Sequence, residues 1–329
     1  MRVAAKWVSP PFNADGWRLD VAADLGHSPD FNHRFWRDFR RSVKSANPNA
    51  IILAEHYGDP SSWLQGDQWD TVMNYDAFME PVTWFLTGMQ KHSDDYRQDL
   101  PGNAESFWGA MGYHSACFAT PSIQVAMNEL SNHDHSRFLT RTNKKVGRMN
   151  TLGPDAANQG VNKAAPTIYY GDEAGLCGFT DPDNRRTYPW GREDQELIAY
   201  HKAAIKVHKE NQEFKTGSIK WMLTDYNMIG YARFTRDNHS LILINNNDHE
   251  MTKELSVWEL GIPKEAEMTR LLLTGNDGFY MDPVKYVVEA GKITVTLPPV
   301  SGIILQHRNE PVKRSEEMKS NRKNFLQFL

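Results

Sequence analysis

Cysteine is scarce: Cys117 and Cys177 are the only two in 329 residues. Sixty positions apart, they match neither a disulfide framework nor a zinc-ligand spacing, so nothing points to an oxidising compartment. No stretch approaches the roughly 20 consecutive apolar residues of a membrane span. The start, Met1-Arg2-Val3-Ala4-Ala5-Lys6, lacks the apolar core of a secretory signal. Neither sign of charge is in excess. With 37 Lys and Arg against 41 Asp and Glu, the formal charge of -4 supplies no attraction toward nucleic acid or an anionic membrane. Together these absences describe a cytoplasmic protein whose ligand is uncharged.

Aromatic residues, by contrast, are plentiful: 10 Trp, 12 Tyr and 15 Phe. Cores absorb most such rings, but flat rings also stack on the apolar faces of sugars. From residue 1 to 213 the chain alternates short β-branched runs with longer amphipathic stretches, the pattern of βα units. Five strands are expected, at residues 16–21, 50–54, 70–74, 128–132 and 166–170. Pro29 to Ser45 reads as a crossover helix with Phe31, Phe35, Trp36, Phe39 and Val43 at helical spacing. Arg192 to Gln212 reads as the helix that closes the first domain. Beyond Lys215-Thr216-Gly217 the rhythm changes to short strands and turns, which predicts an antiparallel β-sandwich over residues 216–310. Residues 311–329 read as a charged tail.

The first four strands run straight into polar clusters, and in parallel α/β folds chemistry sits at the C-terminal ends of strands. Asp20 ends the first strand and Arg18, two residues earlier, shares its face. A carboxylate beside a guanidinium stays ionised, as a nucleophile must, although an isolated Arg-x-Asp is more often a structural pair. Glu55 follows the second strand among Tyr and Leu side chains, a setting that favours the protonated form and suits a general acid. Ser131 to Arg137 is the densest polar cluster. His133 and Asp134 could contact a substrate there. Alternatively, His133 and His135, sharing a strand face, could ligate a metal together with a carboxylate; the absence of an H-E-x-x-H motif weakens that reading. Two carboxyl groups facing each other across a glycosidic bond are the minimum machinery for glycoside hydrolysis, with a spacing of about 5 Å giving retention.

Four segments carry a family resemblance: Asp15 to Ala22, Ala54-Glu55, Ser131 to Asp134, and Thr167 to Glu173. In this order, each at a strand end, they resemble the signature regions of the α-amylase family, glycoside hydrolase family 13. Gly175 to Trp190 is similar to the neopullulanase, cyclomaltodextrinase and maltogenic amylase branch. The resemblance implies a retaining hydrolase acting on α-glucosidic bonds of maltodextrins, cyclodextrins or pullulan, without a cofactor. Asp20 would be the nucleophile, Glu55 the acid that becomes the base, and Asp134 the third carboxylate. Arg18, Asn132, His133, Asp183 and Arg186 would contact or shape the substrate, and no residue would bind metal.

The resemblance also implies an eight-stranded βα barrel in which the strand bearing Asp20 is the fourth. The fold expected is therefore α/β, a partial (β/α)8 TIM barrel of strands 4 to 8 followed by an all-β antiparallel sandwich. Strands 1 to 3 have no counterpart in the sequence. From Arg141 to Lys163 almost no apolar residue occurs, so the helix expected between strands 7 and 8 is absent from the pattern. An incomplete barrel exposes sheet edges, which predicts impaired turnover and association through those edges, with a second copy or another chain. The alternative is a non-catalytic fragment with residual α-glucan binding.

Overall fold

The computed structural model describes residues 1–142, 165–275 and 277–309. A short helix, α1 (Arg2–Trp7), precedes β1 (Gly16–Leu19). The crossover helix expected from spacing is α2 (Pro29–Ala46). Ser28 caps it by accepting a hydrogen bond from the Phe31 N–H at 3.3 Å, and Pro29 occupies the first turn, where its missing N–H costs nothing. Trp36, Phe39 and Val43 fall on the buried face of α2 and pack with Leu19 of β1 and with Ile52 and Ala54 of β2 (Ile51–Ala54). The two strands approach so closely that a Cβ on Gly16 would lie 2.2 Å from the Ile51 carbonyl oxygen, so only glycine fits.

β3 (Thr71–Val72) completes a parallel three-stranded sheet in the order β1-β2-β3. Its continuation, Met73, forms a parallel bridge to Met127 at the head of β4 (Met127–Asn128), and β4 pairs in parallel with β5 (Ala165–Pro166). All five expected strands are thus parallel and in chain order, but the last two are shorter and earlier than their apolar runs suggest. Glu129–Asn132 and Thr167–Tyr170 leave the sheet as loops. Two helices not anticipated from the sequence, α3 (Glu80–Thr87) and α4 (Ala104–Ser115), lie between β3 and β4. The closing helix is α5 (Gln195–Glu210), capped by Asp194, which accepts from the N–H groups of Glu196 and Leu197. From residue 143 on, the apolar-poor stretch that ends at Lys163 lies outside the described residues, and so does the charged tail.

The second unit contains β6 (Ser218–Asp225), β7 (Met228–Phe234), β8 (Asn238–Asn245), β9 (Met251–Ser256), β10 (Ala266–Gly275), β11 (Gly278–Tyr280), β12 (Lys285–Glu289), β13 (Lys292–Leu297) and β14 (Ser301–Arg308). They form one antiparallel path, β6-β7-β8-β14-β10-β12-β13-β9, with β11 on β10. Both faces of its centre are covered. Met228, Ala232, Leu241, Leu243, Ile303 and Leu305 meet Leu255, Val295 and Leu297 of the opposite wing. The alternate residues Ile229, Tyr231, Ile242, Ile244 and Ile304 pack against Phe85, Phe107, Trp108, Leu197 and Tyr200 of the first unit. This explains why β7 and β8 read as continuous apolar runs rather than as alternating ones. Each fully buried aliphatic side chain contributes about 1.5–3 kcal/mol, so the sheet centre anchors the whole molecule.

Candidate active site

The register of β1 on β2 sets Arg18 opposite Leu53 and Leu19 opposite Ala54. The Glu55 N–H then donates to the Leu19 carbonyl at 2.8 Å, which carries the ladder one step further and brings Glu55 beside Asp20. Arg18 reaches both acids: its Nη1 lies 2.5 Å from Asp20 Oδ1 and its Nη2 lies 3.3 Å from Glu55 Oε2. Their surroundings differ. The Asp20 side chain is 78% exposed and that of Glu55 only 8%. The hydrogen bond and the charge of Arg18 hold the Asp20 carboxyl below the usual carboxylate range, with smaller contributions from hydrogen bonding to Glu55 and from His133. Glu55 Oε2 also accepts from the Val21 N–H at 3.0 Å. Val21 has φ +43°, a left-handed conformation that a β-branched residue adopts only where the surroundings impose it.

The segment after β4 is a loop organised by Asn132, which is 3% exposed. Its Oδ1 accepts from the backbone N–H groups of Asp134 and His135 at 2.9 and 3.1 Å and lies 2.6 Å from His135 Nδ1. Its Nδ2 donates to Tyr75 Oη at 3.0 Å and to Glu129 Oε1 at 2.8 Å. Asn132 therefore sits beneath the surface on which His133 and Asp134 stand. Those two face solvent together, with His133 Nε2 3.2 Å from Asp134 Oδ2. His135 points the other way. It is 1% exposed, its Nε2 lies 3.2 Å from His92 Nδ1, and burial pushes its pKa down to about 3. The expectation that His133 and His135 share a face required a strand here; the loop separates them. Among the described residues no three His, Cys, Asp or Glu side chains are grouped to hold a metal ion.

Asp183 and Arg186 form a self-contained pair on a turn. Arg186 Nε donates to Asp183 Oδ1 at 2.9 Å and its Nη2 also bonds to that oxygen, while Asp183 Oδ2 accepts from the Phe179 N–H at 2.8 Å. That N–H and then Arg186 keep the Asp183 carboxyl low. Two residues of this turn meet the loop, Arg185 and Asn184. Arg185 Nε donates to the His133 carbonyl at 3.0 Å and its Nη2 lies 3.5 Å from Asp134 Oδ1. Buried Asn184 ties the same turn to the carbonyls of Asn132 and His135 at 3.0 and 2.8 Å. The family resemblance implies a role for Arg186; its neighbour Arg185 is the arginine that touches the loop.

Three more residues were missed. Tyr57 stacks on Tyr75 with ring centroids 4.5 Å apart and planes 9° apart; burial raises its pKa, and the charges of Glu55 and Asp134 raise it further. Glu129 is 2% exposed, and desolvation pushes its pKa up to about 7. Lys91, 4% exposed, lies 5.5 Å from the Tyr57 ring centroid and pairs with Asp76 and Glu80 at 3.6 and 3.3 Å. A signal existed only for Tyr57, two residues from Glu55.

Parallel strands that deliver Asp20 and Glu55 at their C-terminal ends and Asp134 on the loop after β4, followed by an antiparallel β unit, define a βα-barrel type of catalytic domain with a β domain behind it. The chain belongs to the α-amylase family: the family model for the α-amylase catalytic domain matches residues 1–256. Neopullulanase 2 of Thermoactinomyces vulgaris is 33% identical over 310 residues, covering 92% of this chain and 46% of that protein. A cyclomaltodextrinase of a Bacillus species is 32% identical over 252 residues, covering 75% of this chain and 41% of its own length. A solved cyclomaltodextrinase structure superposes with a TM-score of 0.75 at 29% identity, covering 92% of this chain and 47% of that one. The chain thus spans about half the length of the relatives it matches.

Proposed function

We propose that the chain carries the catalytic residues of a retaining glycoside hydrolase that cleaves α-glucosidic bonds of maltodextrins, cyclodextrins or pullulan. The observation that carries this reading is the single guanidinium of Arg18 bonded to both Asp20 and Glu55. One fork reaching both carboxyl groups ties them to one pocket, as needed for a double displacement, whose two carboxyl groups stand about 5 Å apart. Exposed, ionised Asp20 attacks the anomeric carbon while Glu55 gives its proton to the glycosidic oxygen. The bond to the leaving sugar breaks and a β-glucosyl ester to Asp20 forms. Glu55 then takes a proton from water, the water oxygen attacks the anomeric carbon, and Asp20 leaves, restoring the α configuration. His133 and Asp134 grip sugar hydroxyls, Asp183 and Arg186 shape the donor side, and Asn132 acts from below by holding the loop. No cofactor enters these steps.

The described strands correspond in this proposal to strands 4 to 8 of a (β/α)8 barrel, with residues 1–213 as its C-terminal part and the β domain at 216–310. Two facts support it: among the described residues β1 has a strand partner on one side only, and barrels of this type take about 250 residues. The scarcity of cysteine, with Cys117 and Cys177 both unpaired, supports a cytoplasmic setting. No helix among the described residues is long and apolar enough to cross a membrane.

The test pairs this chain with a longer one that supplies three further βα units. Each is incubated with maltotriose and with a cyclodextrin, beside Asp20→Asn and Glu55→Gln. The longer chain is expected to release α-anomeric product and to lose at least about 10³-fold in rate in either variant. A β-anomeric product, or hydrolysis that survives both substitutions, would sink the assignment.

A further inference from the structure

A groove of about 570 Å³ lies between the segment leading into α4 and the turn joining β6 to β7. We propose that it is a second binding site, for a neutral oligosaccharide, with Tyr226 as its stacking platform. Its volume lies within the range of about 300–1,000 Å³ usual for small-molecule sites. The wall is formed by Gln98, Asp99, Glu105, Thr224, Asp225 and Tyr226, and it shares no residue with the acid cluster of Asp20, Glu55 and Asp134.

The charge inventory selects the ligand. No cationic side chain lines the groove, which disfavours an anion. Two of its three acids are already neutralised: Asp99 lies 2.9 Å from Arg97, and Asp225 pairs with Lys253. Among the described residues no metal-holding group of three occurs. What remains is a wall of amide, hydroxyl and carboxylate groups that accept from and donate to hydroxyls. Beside it stands a tyrosine ring that is 66% exposed and offers a flat apolar face. A polyhydroxylated, uncharged ring compound matches both surfaces.

The groove is also preformed. Asn227 donates its N–H to the Gly102 carbonyl at 2.8 Å, Asn246 donates to the Asn227 carbonyl at 2.7 Å, and Asn247 Nδ2 donates to the Tyr226 carbonyl at 3.4 Å. Gly102 has φ +70°, and a Cβ there would lie 2.0 Å from Asn227 Oδ1, so the two segments meet at van der Waals limit. A wall that needs no ordering on binding keeps the entropic cost of a weak ligand low. Such a site would hold a long glucan on the protein while another part of it occupies the cleft. The choice of an α-glucan as the ligand rests on the proposed function; the site itself does not.

The test is an amide-shift titration of the Asp20→Asn chain, in which no turnover consumes the ligand, with maltoheptaose. Two clusters of shifting amides are expected, one at Gly102 and Thr224 to Asn227, the other around Val21 and His133. Tyr226→Ala should weaken the first about tenfold or abolish it and leave the second unchanged, whereas Tyr226→Phe retains both; His133→Ala should affect only the second. Shifts confined to the acid cluster and insensitive to Tyr226→Ala would overturn the groove while leaving the hydrolase reading intact. Shifts confined to the groove would uphold it and count against that reading. No shifts at either place would sink both.

Discussion

The parallel strands at the N-terminal side and the antiparallel sheet at the C-terminal side use their backbones in opposite ways. β1 to β5 are two to four residues long, and β1, β2 and β4 run into the acids Asp20, Glu55 and Glu129. The strands of the sheet reach ten residues, and those at its centre are buried along almost their whole length. In the first unit the strands are brackets: β1 and β2 are just long enough to aim Asp20 and Glu55. In the second they are the core itself, with alternate side chains filling two separate interiors. Strain and buried charge occur in both units, at Val21, Glu129 and Lys91 in the first and at Val300 and Arg233 in the second.

Substitutions at matched positions sharpen that contrast. The largest effect is expected in the sheet. Tyr231→Ala removes a fully buried ring shared by both units and should cost about 3–5 kcal/mol in urea unfolding, while Asp20→Asn, on an exposed carboxylate paired with Arg18, should cost no more than about 1 kcal/mol. Equal losses from the two would erase the distinction between the units.

A smaller effect, specific to the first unit, depends on pH. Desolvation raises the Glu129 pKa from 4.5 to about 7, so its folded form binds a proton more tightly than its unfolded form. The stability it contributes is fully present below about pH 4.5 and is lost as pH rises through 7. Glu129→Gln should therefore gain on the wild type by up to about 3 kcal/mol between pH 4.5 and 8. A pH-independent difference between the two proteins would show that Glu129 is not desolvated as described. The smallest effect concerns neither unit's interior. Arg41→Ala breaks an exposed pair with Asp38 on α2 and should change stability by less than about 0.5 kcal/mol, measured by the same unfolding.

How much of this was legible beforehand follows from the range of the interaction involved. α2 could be read because its signals are local: a Ser cap, a Pro in the first turn and apolar residues one helical turn apart. The five parallel strands could be located because apolar runs ended in polar clusters, yet β4 and β5 were placed too late. Of their last apolar residues, Leu130 packs into the core from a loop and Ile168 is exposed, so neither joins a ladder. Within the antiparallel unit β6 and β9 are faint in the sequence because their exposed faces dilute the apolar pattern with Lys, Thr and Glu, and β11 because it is three residues long.

The site divides along the same line. The order of Asp20, Glu55 and Asp134, the position of Asp20 and Glu55 at strand ends and the pairing of Arg18 with Asp20 two residues away were all determined by the sequence alone, since strand alternation is a near-neighbour property; Asp134 stands on the loop after β4. Only the tertiary structure decided that Arg18 also reaches Glu55, that Arg185 rather than Arg186 meets Asp134, that Asn132 turns inward and that His133 and His135 face apart. Each of those outcomes depends on how segments distant in the chain pack and on which polar groups packing leaves to be satisfied. That is settled by register, turn geometry and burial, which no local pattern of residues encodes.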